Sequence, residues 1–447
     1  MRPSIATRPS RRRSPRRNCT RGAGRSDAAA PFSQELRHRT HRGVDGTRRA
    51  VRSGPSPLGG SELPSAVSHS TGRPEIATYK SVDALQLALA GSVFERTKAP
   101  KKAAGRALGT LVELITFYLI RDWGLEPNLA IERGLREYGN SLITHNVEFT
   151  LHPHLDVITT PLASDGKTLT ATQVIKQNDL ELTGLERKGG QPLLRGSIVR
   201  HANLVGEAEG SAWYAYLAED DRYSVTQLFD PPFAMFECKR VGVEEGQKKG
   251  PQTIEKAKQG AYVARTVSGL QRVPRRDGSV AALVEEADGR LTTHPDYYLF
   301  IREAIDSGNL VALANVVLTV GVVSNHGNWF TADTQNKEMR VLAQSYDWLL
   351  FLTDDALAEF IETILLGDSD DFAATRSAFE HSYSGDAKST SFTKVSIDVD
   401  ADRELTKYFK EAQPWAKWFN VIAPGAELDG LQHDLQRLRD IREEVLK

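Results

Sequence analysis

Cysteine is scarce: the 447 residues hold two, Cys19 and Cys238, in different kinds of sequence. That argues against a disulfide framework and a cysteine zinc site, and it suits a reducing cytoplasm. No apolar run approaches the roughly 20 residues of a membrane span. The longest, Leu310 to Val323, is broken by Asn315 and Thr319 and reads as a buried strand. There is no Walker-type phosphate loop, no GxSxG elbow and no HExxH pair, which argues against ATP-driven and serine-hydrolase chemistry. No internal repeat is visible. Lysine is missing from residues 1–73, which carry 16 arginines and only four acids.

That local excess shapes the charge. The net charge of −1 divides into +12 on residues 1–73 and −13 on the remainder. An acidic body binds DNA only through a local basic groove. Residues 1–75 read as a disordered Arg-rich segment, too poor in apolar periodicity to bury a core. No second methionine occurs before Met235, so an over-long gene start is the expectation, with a genuine basic tail as the alternative. Over the whole chain, 40% hydrophobic and 26% charged residues match an ordinary globular protein.

Folded sequence is expected from Ile76. Residues 76–145 read as a helical N-terminal region, with amphipathic helices over 82–96, 102–122 and 127–138. Residues 146–355 read as the core. A strand spans 146–151 and a β-rich, loop-rich segment follows to 205. Tyr223–Phe229 and Phe233–Arg240 are expected to pair as a hairpin around Asp230-Pro231-Pro232. A helix over 251–271 follows, then a helix at 297–306, a long strand at 310–323, a helix at 337–345 and a strand at 348–352. Residues 356–447 read as mainly helical, with a strand near 391–398 and helices at 401–419 and 427–446. The expected class is α/β, a mixed central sheet flanked by helices, with helical elaborations at both ends.

Four acid-x-Lys triplets occur: Asp165–Lys167, Glu186–Lys188, Glu237–Lys239 and Asp386–Lys388. Three lie in polar or Gly-rich turns, where solvated loop charges are the plain reading. Only Glu237-Cys238-Lys239 ends an apolar strand and precedes a basic amphipathic helix. Side chains alternate along a strand, so Glu237 and Lys239 share one face and Phe236 and Cys238 the other. Mg²⁺ prefers oxygen ligands, and lysine supplies a cation for charge developing on a phosphate. The plain alternative is a structural ion pair at a strand end.

The stretch 215–272 resembles the PD-(D/E)xK nuclease superfamily, and within it the type II restriction endonucleases. The resemblance implies a restriction endonuclease-like core, Mg²⁺ as cofactor and hydrolysis of DNA phosphodiesters. It makes Glu237 a metal ligand, Lys239 the catalytic lysine and the main-chain carbonyl of Cys238 a further ligand. The family places another acid on the preceding strand, often after proline, and no Pro-Asp stands there. Asp221 is the first choice for catalysis and metal binding, then Asp220, then Asp230. Glu132 and Glu137 are either a further acid or surface charges. Lys248, Lys249, Lys256, Lys258 and Gln259 are the expected DNA contacts, with Arg265, Arg272, Arg275 and Arg276 in the same basic cluster. Gln259 with Tyr262 is similar to the recombination-nuclease branch.

The expected partners are double-stranded DNA, a second copy of the chain and, genetically, a cognate DNA methyltransferase, with no membrane. Two readings stay open beside the restriction enzyme. One is a repair or recombination nuclease of the same superfamily; the other is a non-catalytic DNA-binding or structural protein. His152-Pro-His154 has metal-like spacing but reads as structural. Ser324-Asn-His326-Gly-Asn328 hints at an HNH nuclease without its second histidine.

Overall fold

Six strands build a mixed central sheet, and their order in space is their order in the chain: Leu129–Arg133, Val147–Leu151, Ala234–Gly242, Leu318–His326, Trp348–Leu352 and Phe419–Ala423. The first three pair antiparallel. The third, fourth and fifth run parallel, and the sixth closes the edge antiparallel. The structure is a computed structural model describing residues 81–141, 143, 146–162, 168–180, 191–219, 221–242, 262–263, 266–326, 337–384, 392–412 and 414–447. The expected Arg-rich segment 1–75 therefore lies outside the described residues.

The middle strands are near-continuous apolar runs because helices cover both their faces. Phe236, Val320 and Leu350 are fully buried on one face, beneath the Pro100–Asp122 helix. That helix buries Leu108, Leu111, Ile115 and Leu119. It is long and apolar enough to cross a membrane, yet most of its surface is packed in the core. Met235, Val323, Leu349 and Tyr346 form the other face, with Val263, Val267, Met339 and Leu342 against them.

Gly321 lies opposite Glu237 in the parallel register. A Cβ there would sit 2.6 Å from the Tyr346 ring, so the absence of a side chain lets that ring lie on the sheet. Gly321→Ala is expected to destabilise the fold by about 1–3 kcal/mol through overpacking. Equilibrium denaturation against wild type checks this, and an unchanged midpoint would contradict the packing.

Three smaller sheets surround the core. His154–Pro161, Arg222–Phe229, Ser211–Ala218 and Asn203–Ala208 form a four-stranded antiparallel sheet. Leu270–Pro274, Val280–Glu285 and Leu291–His294 form a meander. Leu194–Arg195, Ile198–Arg200 and Ser396–Asp398 make the third. The Val399–Glu411 helix docks on the Pro100–Asp122 helix through buried Asp402. Tyr118 Oη donates to Asp402 at 2.8 Å, Arg121 Nη1 donates at 3.0 Å, and His201 Nε2 lies at 3.2 Å.

Four departures from the sequence expectations shape the core, beside smaller ones such as the first helix ending at Gly91 rather than 96. Residues 127–138 are not a helix: Leu129–Arg133 is the sheet's first strand, buried at Leu129, Ala130 and Ile131. Helical spacing misled there because a doubly buried edge segment has no polar face to reveal its period. The expected hairpin does not form. Arg222–Phe229 pairs with its own sheet, while Ala234–Gly242 enters the central one, and Asp230 to Phe233 link the two. The expected strand 310–323 starts with a helical turn, Leu310–Leu313, because Asn309 Oδ1 accepts from the Ala312 amide and caps it. Finally, Val399–Glu411 ends before Pro414, and Phe419–Ala423 becomes the edge strand.

Candidate active site

The Ala234–Gly242 strand lies third in the sheet, between an antiparallel and a parallel neighbour. Glu237 and Lys239 emerge on the face of Met235 and Val241, while Phe236 and Cys238 join the core beneath the Pro100–Asp122 helix. Lys239 Nζ lies 2.6 Å from Glu237 Oε1. Glu237 is 2% exposed, whereas the lysine side chain is 30% exposed and reaches toward solvent. Burial pulls the Lys239 amine down, but Glu237 and, beyond it, Glu148 push it up, and the net shift is upward. Lys239 is thus a cation rather than a base. Burial, then Glu148, pushes the Cys238 thiol well above its ordinary value. Burial, then Glu237, also raises the Tyr346 hydroxyl beside them.

A second set of carboxylates stands alongside. Ladder pairing of the motif strand with Val147–Leu151 ends at Phe149 opposite Phe236. The next residue outward on each strand is an acid, Glu148 on one and Glu237 on the other. On its other side Glu148 neighbours Glu132, between the pairs Ile131–Phe149 and Arg133–Val147. Glu132 has a left-handed φ of 52°, a conformation uncommon for a non-glycine residue. Lys394, 3% exposed, sends its amine to Glu148, to Glu113 at 2.7 Å and to Glu132 at 3.2 Å. Burial pushes the Glu113 carboxyl up to about 7; Lys394 opposes the shift, and Glu148 and Glu132 add to it.

The other expected site residues lie elsewhere. Asp221 is not brought to Glu237. It stands at the turn between Ser211–Ala218 and Arg222–Phe229, with φ 52°, and pairs with Arg403 in the open. Its side chain is 73% exposed. The displacement follows from the missing hairpin: the strand preceding the motif in the chain is not its neighbour in space. Asp230 sits in the link between sheets, 2.6 Å from Arg133. Asp220, Lys248, Lys249, Lys256, Lys258, Gln259 and Arg265 lie outside the described residues. Of the expected helix 251–271, residues 262–263 and 266–271 are described; 262–263 and 266–267 are helical, and a strand begins at Leu270.

Arg272 is structural in its contacts, 4.6 Å over the Tyr297 ring and 3.4 Å from Asp347. Arg275 and Arg276 are exposed on the hairpin that follows. Glu137 pairs with Arg133. Buried His152 bonds Phe229 O at 3.1 Å and Thr150 Oγ1 at 2.9 Å through its two ring nitrogens, which accounts for it as core. His154 pairs with Glu443 at 2.7 Å.

No protein-family model, curated protein or solved structure matches the chain. Function therefore has to be read from the site. Sequence reading missed Glu113, Glu148 and Lys394. For Glu148 a signal existed: one acid set among the alternating apolar residues of Asn146-Val-Glu-Phe-Thr-Leu151. Among the described residues, no three His, Cys, Asp or Glu side chains are gathered around one metal position. Here the carboxylates turn onto two amines, Lys239 and Lys394. The donor chemistry, carboxylate oxygens in excess of the amines beside them, is that of a hard divalent cation such as Mg²⁺.

Proposed function

We propose that the chain is a Mg²⁺-dependent endonuclease with a restriction endonuclease-like core, acting on double-stranded DNA in the cytoplasm. One observation carries this reading: the Glu237–Lys239 ion pair stands on a central strand of the sheet, one residue beyond the last ladder pair, Phe236–Phe149, and Glu148 holds the corresponding position on the antiparallel neighbour. The mixed sheet with a helix across its face is compatible with the resemblance carried by the motif.

Glu237, Glu148 and the carbonyl of Cys238 would hold the metal, and Glu148 takes the role first given to Asp221. A bound Mg²⁺ supplies a lowered water pKa and neutralises charge on the phosphate. The residues of the chain do the rest. Glu237 is buried and fixed by its ion pair, so it is preorganised. Lys239, charged and partly exposed, faces the phosphate and offsets the negative charge that grows as the bond breaks. The resemblance implies 5′-phosphate and 3′-hydroxyl products. It also points to a free-standing type II enzyme acting as a symmetric dimer, encoded near a DNA methyltransferase.

Supercoiled plasmid with and without Mg²⁺ tests the proposal. Glu148→Gln is expected to slow cutting by at least about 10²-fold, while Asp221→Ala stays within about twofold of wild type. The reverse ranking would return the role to Asp221. A wild-type chain that cuts no DNA with any divalent metal favours the rival reading, a non-catalytic DNA-binding protein in which Glu237 and Lys239 form a structural pair.

A further inference from the structure

Lys394 belongs to no motif, and the nuclease resemblance implies nothing for it. It lies in the 393–395 bend before the Ser396–Asp398 strand. That bend is fixed: the His201 amide donates to Val395 O at 2.9 Å, and Thr393 Oγ1 accepts from the amides of Val395 and Ser396 at 3.2 and 3.1 Å. The side chain is 3% exposed, so its ammonium cannot be served by bulk water.

A buried ammonium needs one anionic partner. Lys394 has three, from three separate elements: Glu113 of the Pro100–Asp122 helix, Glu132 of Leu129–Arg133 and Glu148 of Val147–Leu151. Three carboxylates around a single cation exceed what an amine requires. The position is held by a charge the chain carries itself. Glu148 is the shared member, because its charge also acts on Cys238 and Lys239 of the motif strand.

We propose that Lys394 is a tethered counter-cation that holds Glu148 against Glu113 and Glu132 and competes with the divalent metal for it. It is a positioning residue, acting on the metal through Glu148, and the inference rests on the reading of Glu148 as a metal ligand. Metal binding then requires Lys394 to yield Glu148, which raises the metal concentration the site needs. Removing the charge while keeping the chain's bulk frees Glu148 and leaves a more negative site.

The test is Mn²⁺ binding to the full chain by isothermal titration, for wild type, Lys394→Met, Lys394→Gln and Lys394→Arg. Met keeps the aliphatic stem. Gln keeps hydrogen bonding without charge and stands in if the Met variant fails to fold. Both neutral variants are expected to bind Mn²⁺ about tenfold tighter than wild type, and their melting temperatures to rise more on adding Mn²⁺. Lys394→Arg restores the charge and is expected to bind within about twofold of wild type. Equal or weaker binding by the folded neutral variants overturns the proposal. Plasmid cleavage, measured in parallel, separates the two readings. Tighter Mn²⁺ binding without cutting by any variant upholds Lys394 and sinks the nuclease, whereas cutting without tighter binding does the opposite.

Discussion

Glu237→Gln is expected to reduce Mg²⁺-dependent DNA cleavage by at least about 10³-fold, or about 4 kcal/mol of transition-state stabilisation. Gln keeps the shape and burial of the side chain and removes its charge. Glu237 is 2% exposed, so water cannot substitute for the lost carboxylate. Lys239, 2.6 Å away, also loses the partner that holds it in place. The fold should survive, because the substitution adds no bulk beside Tyr346 and deletes no apolar surface. Cleavage rates over a Mg²⁺ titration, with circular dichroism on the same preparations, check both halves. A folded Glu237→Gln protein cutting at the wild-type rate would remove Glu237 from the site.

Asp402→Asn is expected to cost about 3–5 kcal/mol of stability near neutral pH, the usual result of breaking a buried ion pair from one side. Asp402 is 2% exposed and meets Tyr118, Arg121 and His201 at once. Asn leaves the Arg121 guanidinium with Glu126, 3.1 Å away, as its remaining charge partner. Burial alone would raise the Asp402 carboxyl; Arg121 and then His201 outweigh it and hold it well below the usual carboxylate range. The folded value is therefore lower than the unfolded one. The carboxylate's contribution is complete above the unfolded value, near 3.9, and is lost as pH falls through the folded one. The wild-type advantage over Asp402→Asn should be constant from pH 5 to pH 8 and shrink below about pH 4. Urea denaturation at pH 7 and pH 3 measures it, and an equal gap at both would refute the assignment.

What was legible in the sequence follows from which signals are local. Leu111 and Ile115 announced the Pro100–Asp122 helix through their spacing, and Phe233 to Arg240 announced a buried strand ending in Glu237 and Lys239. Strand partnership is not local. Tyr223–Phe229 and Ala234–Gly242 are both strands with a proline turn between them, yet they belong to different sheets, and that choice moved Asp221 out of the site. Glu148 lies about 90 residues before Glu237, and Lys394 about 155 after it. Only the sheet order and the packing of the 393–395 bend bring them together, and no spacing rule within a short window records such distances.

The sheet order has a kinetic meaning. Each central strand lies beside its neighbours in the chain, but about 80 residues separate Leu151 from Ala234 and about 75 separate Gly242 from Leu318. Closing such long loops is entropically costly, though the cost grows slowly with length. Parallel pairing of Ala234–Gly242 with Leu318–His326 must therefore await the collapse of what lies between. The four-stranded sheet, mostly built of short-range pairs, can assemble first. The motif strand is then among the last parts of the core to find its place, and the proposed ligands Glu148 and Glu237 come to neighbouring strands only once that step is complete.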